Sequence, residues 1–128
     1  EEAIDALLAP TVALPGGGHL VIEPTRAFVA VDVNTGGDMS PAAGLKVNIA
    51  AARELPRQLR LRGLGGQIIV DFAPVAKKDR AALDQQLKTA FRGEAAETVL
   101  AGWTTLGNYE IQRKRDRIAL SRLRGPAS

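Results

Sequence analysis

Residues 28–36 read FVAVDVNTG and residues 67–72 read QIIVDF. Each is an apolar run that closes on an aspartate, Asp32 in the first and Asp71 in the second. A carboxylate is costly to bury unpaired, so each aspartate must find a partner or reach water. The β-branched content of both runs reads as strand. Between them Leu45, Ile49, Ala52, Leu55 and Leu59 fall on one face at helical spacing, which predicts a helix from Leu45 onward. A strand–helix–strand crossover of this length makes the two strands parallel. Both then finish on the same side of one sheet, where open α/β sheets place their functional crevice. Two carboxylates remote in sequence can therefore meet. Asn34 lies two residues past Asp32, on the same face if the strand continues, and its carbonyl oxygen can join them. Three oxygen ligands with open positions for water and phosphate suit Mg²⁺, and Mn²⁺ is accepted by the same donors. Such an ion would polarise a phosphodiester and orient water for in-line attack. The plainer reading of each residue is a turn or cap at a strand end.

Working outward, residues 1–11 read as the end of a preceding helix or linker: Ile4, Leu7 and Leu8 share a face and Pro10 stops it. Gly16–Gly17–Gly18 is a turn. HLVIE (19–23) and AFVAVDV (27–33) form an antiparallel hairpin. Residues 34–44 read as loop, because Gly36, Gly37, Pro41 and Gly44 punctuate them. Pro56 predicts a kink in the helix or a break into two. Leu83, Leu87, Ala90 and Phe91 mark a second helix ended by Gly93. ETVLAGW (97–103) and YEIQRKR (109–115) read as two further strands. The fold class is α/β, a mixed β-sheet with flanking helices. The main domain spans 12–120, and 121–128 is a basic tail expected to be disordered.

The 128 residues, 45% hydrophobic, suit one domain with a real core. Five aromatic residues are too few for a surface built mainly from stacking platforms. With no cysteine, disulfides and thiolate metal sites are excluded. No run is long enough to cross a bilayer and no signal segment opens the chain, so a cytoplasmic protein without membrane contact is expected. The net charge of +3 is unevenly spread. Residues 108–128 hold six Lys/Arg against Glu110 and Asp116. Arg113, Lys114 and Arg115 there, with Arg57, Arg60 and Arg62 in PRQLRLRG, are candidate contacts to a phosphate backbone. The alternative is a solvated basic face. His19 has no second histidine or cysteine beside it and reads as a surface residue. Asp38 reads as loop, Trp103 as core, and Lys46 and Asn48 as either phosphate contacts or local backbone partners.

PGGGHLVIEPTRAFVAVDVNTG, LKVNIAAARELPRQLRLRGLGGQIIVDF and LGNYEIQRKR, in that order, resemble the catalytic region of the ribonuclease E/G family over roughly residues 12–120. The resemblance implies a subdomain similar in fold to DNase I. It implies a Mg²⁺-dependent endoribonuclease that cuts single-stranded RNA in RNA processing or decay. Its two metal-binding aspartates match Asp32 and Asp71, and its supporting asparagine matches Asn34. It also implies other domains of a longer parent chain, among them an oligonucleotide-binding barrel before this region, and leaves a homodimer open. A zinc link through paired cysteines is not expected in this chain. Where the family carries a basic pattern for the RNA 5′-monophosphate, GEAAE stands here, with Glu94 and Glu97, which speaks against 5′-end sensing. A non-catalytic RNA-binding or assembly module is the alternative. A nucleotide phosphohydrolase is a third reading.

Overall fold

The computed structural model describes residues 9–115. The expected N-terminal helix end falls mostly, and the basic tail wholly, outside the described residues. Six strands form one sheet: β1 (Thr11–Ala13), β2 (His19–Pro24), β3 (Val29–Asn34), β4 (Gly66–Asp71), β5 (Thr98–Trp103) and β6 (Tyr109–Arg113), in the order β1-β2-β3-β4-β6-β5. Helix α1 (Pro41–Arg62) joins β3 to β4, and α2 (Arg80–Phe91) joins β4 to β5 after a 3-10 turn at Lys77–Asp79. Among the described residues only β3 and β4 run parallel; every other pairing there is antiparallel. This is the mixed α/β sheet that the crossover demanded.

Alternation along the strands decides which face is covered. Leu20, Ile22, Val29, Val31, Val33, Ile68, Val70, Tyr109 and Ile111 are buried. They share one core with Ala51, Leu55 and Leu59 of α1 and Leu83, Leu87 and Phe91 of α2. The alternate positions, His19, Val21, Ala30, Asp32, Asn34, Ile69 and Asp71, therefore lie on the opposite face, where all are half-buried or exposed.

Two features of α1 differ from the sequence expectation. It starts at Pro41, not Leu45, because Ser40 caps it: the Ser40 hydroxyl accepts from the Ala43 N–H at 3.2 Å. Proline at the first helical position costs nothing, since that N–H has no intrahelical partner. Gly44 is then inside the helix for a packing reason: a Cβ there would sit 2.7 Å from the Pro74 carbonyl oxygen. Asp38 accepts from the Ser40 N–H at 2.9 Å, which holds its pKa below the usual carboxylate value and makes it a turn residue. Second, α1 continues through Pro56 as one helix, with Pro56 buried among core residues. Burial of Ala52, Leu55 and Leu59 around it offsets the lost hydrogen bond.

The far side of the core is pinned by Tyr109. It is fully buried and donates to Asp84 Oδ1 at 2.5 Å. Burial, then the carboxylate, pushes the phenol pKa well up, and the same bond holds Asp84 below its ordinary value. Phe72, Trp103 and Tyr109 pack as a tilted and edge-to-face aromatic cluster, centroids 5.4–6.4 Å apart, just beyond the end of β4. Trp103 is a packing residue, as the sequence suggested.

Candidate metal centre on the open sheet face

Asp32 and Asp71 are direct register partners across the parallel β3–β4 pair. Neighbouring positions in register share a face, so both carboxylates rise from the open side of the sheet, and both residues are exposed. Neither forms an ion pair among the described residues. The one side-chain hydrogen bond to either among the described residues is from Asn34, whose Nδ2 donates to Asp32 Oδ2 at 3.4 Å. Asn34 thus steadies Asp32, with its own carbonyl oxygen left over. His19 pairs with Asn34 in the antiparallel register and is half-buried on the same face.

The strand ends converge as the spacing required, but on a face rather than in a crevice beyond the strand tips. The end of β4 is held by Asn48, a fully buried side chain of α1. Its Nδ2 donates to the Ala73 carbonyl at 2.8 Å and its Oδ1 accepts from the Ala73 N–H at 2.9 Å. Asn48 is therefore a backbone clamp two residues past Asp71, not a phosphate contact. Asn48→Ala strands a buried N–H and a buried C=O, so a loss of about 2–4 kcal/mol is expected. Urea unfolding checks it: the midpoint should fall with the slope unchanged.

The donor set decides which ion fits. Among the described residues no three His, Cys, Asp or Glu side chains converge. That does not match a closed zinc cage, which needs four nitrogen or sulfur donors. Two carboxylates and an amide oxygen are donors of the kind that Mg²⁺ takes, since it keeps several waters and binds through one or two carboxylates plus substrate phosphate. Asp32 and Asp71 are the residues that could hold it.

The six candidate cations do not surround these acids. Gly66 pairs with Arg113 at the start of β4, five residues before Asp71, or roughly 16 Å at strand rise. Helix α1 also ends there, which brings Arg57, Arg60 and Arg62 to the same distal end. Arg62 and Arg113 are buried. Glu94 holds Arg60 at 2.5 Å and Arg113 at 3.2 Å. Arg62 Nε donates to Gln58 Oε1 at 2.9 Å, and its burial lowers its pKa. Arg115 donates to the Gly65 carbonyl at 2.9 Å. Arg57 is exposed and paired with Glu54 at 2.8 Å, and Lys114 is exposed. Arg62 and Arg113 are thus held inside the fold, and Arg60 shares Glu94 with Arg113.

Other cations leave the acidic end of β4. Lys77 and Lys78 are exposed in the turn that follows it, with no ion pair among the described residues. Arg80 lies 4.8 Å over the Trp103 ring, its Nη2 near Gly107 in the β5–β6 turn. The sequence signal for them was position alone: all three follow Asp71 within nine residues.

The model of the Ribonuclease E/G family matches residues 1–116. The chain belongs to the ribonuclease E/G family. Ribonuclease E of Nostoc sp. is 40% identical over 118 residues, covering 88% of this chain and 17% of that protein. The Ribonuclease E/G-like protein, chloroplastic, of Arabidopsis thaliana is 39% identical, covering 91% of the chain and 12% of that protein. Ribonuclease G of Escherichia coli is 37% identical, covering 91% and 25%. The chain thus spans at most a quarter of the length of these ribonuclease E/G relatives. No helix among its described residues is long and apolar enough to cross a membrane.

Proposed function

We propose that this chain is the catalytic segment, over residues 12–120, of a metal-dependent endoribonuclease that hydrolyses phosphodiester bonds in single-stranded RNA during RNA processing or decay. The observation that carries the reading is the Asp32–Asp71 pair: two exposed carboxylates in direct register, neither in an ion pair among the described residues. Like charges placed directly opposite are destabilising, so the arrangement costs stability unless a cation lies between. Such a cost at a surface is a mark of function. Bound there, Mg²⁺ or Mn²⁺ would supply Lewis-acid polarisation of a phosphate oxygen and a water of lowered pKa.

The chain's own groups do the rest. Asp32 and Asp71 hold the ion, and Asn34 fixes the Asp32 rotamer through its amide. The uncovered sheet face admits an extended, single-stranded backbone beside the acids. Lys77, Lys78 and Arg80 draw phosphates to that end of β4. Arg57, Lys114 and Arg115 lie at the distal end, where a longer RNA would reach them. Other domains of a longer parent chain would add grip, and a cytoplasmic setting follows from the same reading.

A non-catalytic RNA-binding or assembly module is the second reading, since the exposed cations Arg57, Lys77, Lys78 and Lys114 could hold RNA without a bound metal. One experiment separates the two: incubation of a short single-stranded RNA with the protein and Mg²⁺, with EDTA as control. Cleavage that EDTA stops is expected. Tight binding without cutting would favour the module, and phosphate release from mononucleotides would point to a phosphohydrolase.

A further inference from the structure

The loops that follow β3 and β4 line an open slot of about 180 Å³. Val33 and Ala73 form its floor, both buried. Pro74, Thr35, Gly36 and Met39 line it, and Asn34, which also contacts Asp32, stands on its rim. Met39 is 81% exposed, an unusual state for a large apolar side chain. It is nonetheless tethered, since the Thr35 hydroxyl donates to its Sδ at 3.8 Å.

We propose that this slot receives one nucleobase of the RNA, from the nucleotide adjacent to the phosphate held at Asp32 and Asp71. The inference rests on the nuclease reading for the placement of that phosphate, and on the slot itself for the base. A chain whose phosphate lies on the acids must turn the neighbouring base aside, and Asn34, which is hydrogen-bonded to Asp32, also lines the slot. The volume falls below that of drug-sized ligand sites and suits a single flat ring system. Its walls match a base: the Pro74 ring and the polarisable Met39 thioether for the faces, the Thr35 hydroxyl and Asn34 amide for the polar edge. The aromatic residues just beyond β4, Phe72, Trp103 and Tyr109, are engaged with one another in a cluster and do not line the slot. Methionine takes that part instead.

The test uses two readouts. First, a short RNA with one cleavage site is compared with copies made abasic at single positions. Wild type should lose about tenfold in kcat/KM when the base next to the cut is missing, and Met39→Ala should show little of that penalty. The two proteins should cut the abasic RNA at similar rates, because Met39 touches neither acid. Met39→Leu, which keeps the apolar wall, should retain most of the penalty. Second, 2-aminopurine is walked along the same RNA and its emission followed on binding. One position should respond in wild type and fall silent in Met39→Ala. Equal abasic penalties in both proteins, with the same 2-aminopurine response, would overturn the slot while leaving the nuclease reading intact. A Met39-dependent 2-aminopurine response in a protein that cuts no RNA would keep the slot and remove the nuclease reading. Because Met39 is exposed, its replacement should leave thermal unfolding unchanged.

Discussion

Asp71→Asn is expected to lower RNA cleavage by about a thousandfold or more while leaving RNA affinity within about twofold. The carboxylate holds the ion in this proposal, and asparagine keeps the shape while removing the charge. The same substitution should make the metal-free protein slightly more stable. Asp32 and Asp71 face each other in register, and a like-charge cross-strand pair costs about 0.2–1 kcal/mol. Relief of that cost corresponds to a rise of one to a few degrees in Tm for a domain of this size. Mg²⁺ should raise the Tm of wild type, because a ligand that binds only the folded state stabilises it. It should leave Asp71→Asn unmoved. Cleavage assays and thermal scans with and without Mg²⁺ read all three effects. An Asp71→Asn protein that cuts at the wild-type rate would remove the mechanism.

The second large effect lies at the other end of the sheet. Glu94→Gln is expected to cost about 3–5 kcal/mol, since breaking a buried ion pair leaves an uncompensated charge inside. Glu94 is the single carboxylate for two guanidinium groups, and Arg113 is only 3% exposed. Denaturant unfolding measures the loss. Combining Glu94→Gln with Arg113→Met should recover part of it, because the double change removes the stranded charge as well. Cleavage per folded molecule should be unaffected, as this network is separated from Asp71 by the length of β4. A Glu94→Gln protein of wild-type stability that fails to bind RNA would return these arginines to the RNA-contact set.

The acidic pair was legible because it depends on short-range rules. An apolar run that ends in Asp, a helix-length crossover and a second such run force parallel strands with their ends together. The sequence could not show that the pair would be in exact register, nor that it would rise from an open face. Those facts depend on how the 22 residues of α1 span the sheet and on both helices sharing one core. The arginines were harder to read for a related reason. Charge type suggested surface, whereas helical spacing sets Arg62 four residues beyond Gln58 and three beyond Leu59, both buried. Glu94, the partner of Arg60 and Arg113, is 34 and 19 residues away from them in sequence, and no local pattern announces it. Asn48 shows the same gap. Its two bonds to Ala73 cross 25 residues, so only the folded chain distinguishes a clamp from a ligand contact. Helix α1 began early because Ser40 and Pro41 together form a start signal that the neighbouring glycines had obscured.

The lone parallel pairing also determines where this protein can change length. An added or deleted residue in the segment after Asn34 reshapes the slot but leaves β3 and β4 free to keep their alignment. A single insertion between Ile68 and Asp71 would instead rotate the terminal acid toward the hydrophobic interior. Evolutionary drift in size should thus collect in the link and be barred from the rungs.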